Sequence, residues 1–237
     1  MDTGRRVSVR ALRILTYTIL VKALVSAGML FCTAAAHFAV RSSSGDISGY
    51  ADAQIICQAV YFIDIVVCVM CLIGVISLSK RFVYTHRVMV AVLITYCAVI
   101  LLFSAELRLA LGSYEKAANA VGIITLVMSA AVRLLVGAAF LLLMKGFGEV
   151  LLQAVGDEAM ASKMERLGLI YFGCNTVAAL SGSLAGSALG SSSMAAIVLD
   201  LAVVILEFLM YRRASAAAFR IWRRRAFGSD EDGGQVS

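Results

Sequence analysis

Apolar residues run through this chain in stretches too long for the core of a soluble domain. Charged residues interrupt them at a few isolated places. Six such stretches are marked off, at 14–40, 53–79, 88–105, 120–144, 168–190 and 194–211. Each holds roughly the 18 or more apolar residues that a helix needs to cross a bilayer core. Four of the six carry charge: Lys22 in the first, Asp64 in the second, Arg133 in the fourth, and Asp200 with Glu207 in the sixth. A charge inside hydrocarbon costs at least about 2.5 kcal/mol, so such residues face a protein interior or a water-filled cavity. The pattern predicts an all-α integral membrane bundle of six transmembrane helices with a polar interior.

The polar residues fall on helix faces, since positions three and four apart share a side. Cys57, Tyr61, Asp64, Cys68 and Cys71 form one stripe, and Asn119, Ser129, Arg133 and Gly137 another. Asp200, Glu207 and Tyr211 align on the last span, and Lys22, Ser26, Thr33 and His37 roughly align on the first. The fifth offers Tyr171 and Asn175 above a run of glycines, and the third has no stripe and is expected to be the most lipid-exposed.

Depth predicts pairings. Asp64, Arg133 and Asp200 lie near the midplane, while Lys22 and Glu207 lie toward the inner side. Arg133 then pairs with Asp64 or Asp200, and Lys22 with Glu207. One carboxylate is left over. A buried acid without a cation tends to hold its proton. It can load and release that proton or hold a cation, as ion-coupled transport requires. The competing reading is structural: a protonated Asp bridges helices by a hydrogen bond, and Lys22 and Glu207 snorkel to the interface.

Composition agrees with lipid as solvent. The chain of 237 residues is 61% hydrophobic and 15% charged, with mean hydropathy +0.91, which leaves short loops and no room for a separate soluble domain. There is no proline, so glycine alone would make any helix break. With the N-terminus inside, the inner segments hold 16 of the 21 basic residues and the outer loops hold 3. By the positive-inside rule both termini are cytoplasmic. Arg6, Arg10, Arg13 and Tyr17 share a face opposite Val7, Ala11 and Leu15, which predicts a basic amphipathic entry helix over 1–13 lying on the membrane. A basic start, an apolar run and Ala34-Ala35-Ala36 also imitate a cleavable signal peptide, but Lys22 interrupts the apolar run. The connection 145–167 is expected to carry a surface-lying amphipathic helix. Beyond the span domain at 14–211, residues 212–237 divide into a basic, aromatic-laced juxtamembrane segment and a disordered acidic tail. The basic part suits anionic inner-leaflet lipids rather than nucleic acid.

Gly182, Gly186 and Gly190, with Ala178 before them, recur every four residues and predict close packing, within the bundle or against a homo-oligomer or partner membrane subunit. All six cysteines lie in spans and read as small apolar residues. Cys68-Val-Met-Cys71 resembles, over four residues only, the motif of membrane disulfide-generating proteins. It sits in the inner half of a span, and no outer loop contains cysteine. His37 and His86 are the only histidines, and no metal-ligand cluster, catalytic nucleophile or cofactor motif is evident. The expected function is therefore a small permease or ion-coupled transporter component moving a small solute or ion. Its polar site would be Asp64, Arg133, Asp200, Lys22 and Glu207, in a plasma membrane, by default bacterial. A non-transporting scaffold or accessory subunit is the alternative.

Overall fold

The computed structural model describes residues 9–42, helical positions within 63–74 and 90–98, residues 118–185 and residues 192–227. Among these described residues every position is α-helical except Gly156 and Asp157. Four helices are described along their length: α1 (Val9–Ser42, 34 residues), α2 (Ala118–Val155, 38), α3 (Glu158–Ala185, 28) and α4 (Ser192–Phe227, 36). At 1.5 Å per residue they run about 42–57 Å, well beyond the ~30 Å hydrocarbon core of a bilayer. The segments Arg10–Phe31 and Ala130–Val155 are long and apolar enough to cross a membrane.

That extra length corrects two expectations. The connection 145–167 holds no separate surface helix. Helix α2 continues to Val155, the chain reverses over two residues, and α3 begins at Glu158. The basic entry segment does not break from the first span, because α1 is continuous from Val9. The basic segment after 211 is a continuation of α4, as far as Phe227. Without proline nothing removes a backbone donor from these helices, so they run on past the apolar stretches. The expected acidic tail, Gly186 and Gly190 lie outside the described residues.

The reversal is built from two side-by-side end signals. Gly156 has φ +77°, and its N–H donates to the Leu152 carbonyl at 2.9 Å, the left-handed cap that favours glycine. Asp157 then caps α3, its Oδ1 accepting from the Met160 N–H at 3.0 Å. Its other oxygen takes a salt bridge from Arg220 near the end of α4. The N-terminal part of α1 lies beside this same stretch of α4, where Arg13 and Tyr17 share a cleft with Tyr211 and Trp222. The start of α1, the α2–α3 turn and the end of α4 are therefore together at one end of the bundle. Among the four helices, α4 touches all the others and α1 touches only α4.

One core runs from the turn end into the apolar half of the bundle. At the turn end it holds Leu12, Leu15, Leu151, Met164, Ala217 and Ile221, and farther on Phe140, Tyr171 and Val203. The wheel expected for the start of α1 is seen over its described residues: Ala11 and Leu15 are buried, and Arg10, Arg13 and Tyr17 are exposed. Removing residues before about 37 as a leader would take Leu12, Leu15 and Ile19 out of this core.

The outside of the bundle, by contrast, has two zones. Away from the turn the surface carries large apolar side chains, among them Phe31 (75% exposed), Leu180 (61%), Val198 (61%) and Val127 (60%). Toward the turn it carries Arg10, Arg13, Lys163, Arg166, Arg212, Arg213, Arg223 and Arg224, all exposed. Threonines in the helices are satisfied locally: Thr16, Thr18, Thr95 and Thr176 each donate to the carbonyl four residues back, at 2.8–2.9 Å. A hydroxyl so paired can sit in an apolar helix without an outside partner.

The α2–α3 hairpin closes on small residues. A methyl at Gly168 would lie 3.1 Å from the Met144 Cβ and 3.3 Å from the Leu141 Cα, and one at Gly148 would lie 3.2 Å from the Ala161 carbonyl. Gly137 meets Phe172 and Asn175 in the same way. Gly146, on the same helix, has open space there, and a methyl added to it would meet nothing within 4 Å. Gly168→Leu is therefore expected to lower stability by about 1–3 kcal/mol, the usual cost of overpacking. Gly146→Ala should be neutral or slightly stabilising. Thermal unfolding of the detergent-solubilised protein checks both, and equal midpoints for the two variants would contradict this packing.

Candidate functional site

Charged side chains are scarce in the apolar zone. Across 130–144, 167–185 and 192–211 they are Arg133, Asp200 and Glu207. Each is bonded. Arg133 reaches Asp200 with two parallel contacts, Nη1 donating to Oδ1 at 2.6 Å and Nη2 to Oδ2 at 3.3 Å. This is the forked geometry in which a guanidinium fits a carboxylate. Both side chains are partly exposed, 37% and 25%. Of the two acids considered for Arg133, the structure brings Asp200 to it. Asp64 and most of its stripe lie outside the described residues. Arg133 is 12 residues from Lys145 and Asp200 is 12 from Arg212. The pair thus sits about 18 Å inside the basic boundary.

Glu207 lies nearer that boundary and is deeply buried, 1% exposed. The Tyr171 hydroxyl donates to its Oε1 at 2.7 Å. Tyr171 is itself fully buried, tilted against Phe140 with ring centroids 5.5 Å apart. One turn along α3, Asn175 is 4% exposed and its Nδ2 donates to the Tyr171 carbonyl at 3.3 Å. Lys22 on α1 is also buried, at 9%. The interior of the bundle therefore contains buried polar groups from three helices, Lys22 on α1, Tyr171 and Asn175 on α3, and Glu207 on α4. The Arg133–Asp200 pair lies about two turns farther along.

Tyr171 and Asn175 were legible as the polar positions of the fifth stretch. The role of Tyr171 as a hydroxyl partner for Glu207 was not, because periodicity places residues on a face without saying which faces meet. The glycine contacts at 137, 148 and 168 were missed too, since they recur at irregular spacing across two helices. Gly182 is helical, and Gly186 and Gly190 are outside the described residues. Cys71, Cys97 and Cys174 are free thiols, and Cys68 lies outside the described residues. Among the described residues no three His, Cys, Asp or Glu side chains gather in one place.

The fold and site together define a class: an all-helical bundle whose apolar-surfaced half encloses a small set of buried polar and charged groups. No known protein family, curated protein or solved structure matches the chain.

The closed Arg133–Asp200 fork makes a direct prediction. Asp200→Leu takes the forked carboxylate from the guanidinium and, for a partly exposed pair, should destabilise by about 1–3 kcal/mol. Arg133→Leu with Asp200→Leu should recover most of that loss. Thermal unfolding of the two single variants and the double variant measures the coupling. Simple additivity of the single effects would show that the pair does not act as a unit.

Proposed function

We propose that this protein is a polytopic membrane protein of the plasma membrane, with six spans and both termini cytoplasmic, and that its interior is the polar site of a small permease or ion-coupled transporter component. The observation that carries the reading is Glu207: a carboxylate 1% exposed, in the apolar zone, held by a tyrosine hydroxyl from a neighbouring helix. Carboxylates at such depth mark proton relays and ion pathways more often than other residues do. Tyr171 gives this acid a polar partner, Asn175 and Lys22 are further buried polar groups of the interior, and Arg133 with Asp200 supply a second charged station deeper in. Two stations at different depths suit stepwise passage of a proton or a small cation. Asp64 belongs to this proposed site on the sequence alone.

The two-zone surface supports the membrane assignment. Large apolar side chains exposed over several turns of α1, α2, α3 and α4 are costly in water and ordinary in lipid. The basic zone at the other end has the charge expected of a segment beside an anionic inner leaflet.

A second reading is a non-transporting scaffold or accessory subunit. It is favoured by the tightness of the hairpin around Gly137, Gly148 and Gly168 and by the closed state of the Arg133–Asp200 fork. An ion pair between helices can serve register and specificity alone.

Flux separates the two. The purified protein in liposomes holding a pH-sensitive dye, driven by a potassium diffusion potential, is expected to move protons faster than protein-free vesicles. Glu207→Gln, at equal incorporation, should reduce that rate by at least about tenfold, as loss of an essential proton-transfer group does. A rate unaltered by Glu207→Gln and by Asp200→Asn would remove the transport reading. Absence of wild-type flux, with loss of assembly in Gly186→Leu, would support the scaffold.

A further inference from the structure

Helices α1 and α4 do not close on each other along their whole length. Near the basic end they leave a cleft of about 290 Å³. Its α4 wall is the face at positions 211, 215, 218 and 222, spaced four, three and four residues apart. Its α1 wall is the face at 13, 16 and 17. The space exists because α4 presents Ser215 and Ala218 where the turns on either side present Tyr211 and Trp222. It belongs to neither the Glu207 set nor the Arg133–Asp200 pair.

The chemistry of the cleft is one-sided. Arg13 is a cation in its lining, and among the described residues no carboxylate lines it. Tyr17, Tyr211 and Ser215 bring hydroxyl donors, and Trp222 brings an indole N–H. Thr16 is different, because its proton is already given to the Leu12 carbonyl at 2.8 Å. Phe219 and Trp222 stand together at one side, ring centroids 5.7 Å apart, and both are partly exposed. An arginine, several hydroxyl donors and amphipathic rings are the groups that meet a lipid phosphate at a membrane surface. The volume is at the small end for ligand sites, so it takes a headgroup and not an acyl chain. Exposed Arg212, Arg213, Arg223 and Arg224 flank the same stretch of α4 and bias its surroundings toward anions.

We propose that this α1–α4 cleft is a binding site for the phosphate headgroup of an anionic phospholipid of the inner leaflet, with Arg13 as its cation. The proposal rests on the membrane reading above and does not depend on transport. It places the lipid at the contact between α1 and α4, where a bound headgroup bridges the first and last described helices.

The test uses the full-length protein in mild detergent, with lipid retention counted by native mass spectrometry from mixed micelles of phosphatidylglycerol and phosphatidylcholine. Phosphatidylglycerol should be retained over phosphatidylcholine by at least about fivefold, the ratio expected from one basic residue beside an anionic headgroup. Arg13→Gln and Ser215→Phe, one removing the charge and the other filling the space, should each erase that preference, while Arg13→Lys keeps most of it. Arg13 is exposed, so Arg13→Gln should melt like wild type and keep the test valid even if Ser215→Phe does not fold. Equal retention of the two lipids, or a preference unchanged in Arg13→Gln, would overturn the proposal. Complete displacement by excess inorganic phosphate would assign the cleft to a soluble phosphate and overturn the lipid assignment. Extraction of the protein from membranes by alkaline carbonate would instead fail the membrane reading, a separate outcome.

Discussion

Four helices, each longer than a bilayer is thick, pack on one core while their outer surface changes from apolar to basic along their length. Everything else in the structure follows from that constraint. The core side is uniform, running from Leu12 and Ile221 at one end past Tyr171 and Val203. The outer side changes along the same helices, apolar around Val198 and Leu180 and basic around Arg212 and Arg166. A helix continuing through that change of surface needs no new cap or turn there, so it leaves no backbone groups unpaired at the boundary. The bundle's shared core then gives the basic zone a fixed position relative to the apolar one.

Helix α4 is the member that makes this work. It touches α1, α2 and α3, and its polar ties to α2, α3 and the turn between them differ in chemistry. Arg220 ties it to Asp157 at the hairpin turn, Glu207 to Tyr171 on α3, and Asp200 to Arg133 on α2. Taken in order along α4, these ties run from the exposed end into the apolar zone. The most buried of them is the Tyr171–Glu207 bond, while the two ion pairs both keep partial exposure. The Arg133–Asp200 fork and the Tyr171–Glu207 bond thus fix the register of α4 against its neighbours. They are also the groups for which a transport role is proposed.

Much of this was legible in the sequence. Apolar runs gave the helical class, and the isolated charges Lys22, Arg133, Asp200 and Glu207 stood out because hydrocarbon tolerates so few. The wheel at the start of α1 separated Leu15 from Arg13 correctly. What could not be read was where helices stop. The expectation of breaks near 13, 145 and 167 came from changes in polarity, but polarity decides which surroundings a helix meets and not whether it continues. The real stop was spelled in the chain as Gly156-Asp157, a left-handed cap followed by an N-cap, and that signal outweighs hydropathy. Partner choice was hidden for a different reason. Arg133 had two acids at a fitting depth, and only the approach of α2 to α4 brings one of them, Asp200, to it. The cleft beside Arg13 was hidden as well, since the small residues around 215–218 are unremarkable until a second helix faces them.

The most direct measurement of the central claim, a bundle half in lipid with its basic end in the cytosol, is sidedness at the hairpin turn. A single cysteine placed at Ser162, exposed near the start of α3, on a background with the native cysteines replaced, would be treated with a membrane-impermeant maleimide in inside-out and right-side-out vesicles. The account predicts labelling in inside-out vesicles alone. Labelling from the outer face, or in both preparations alike, would contradict it.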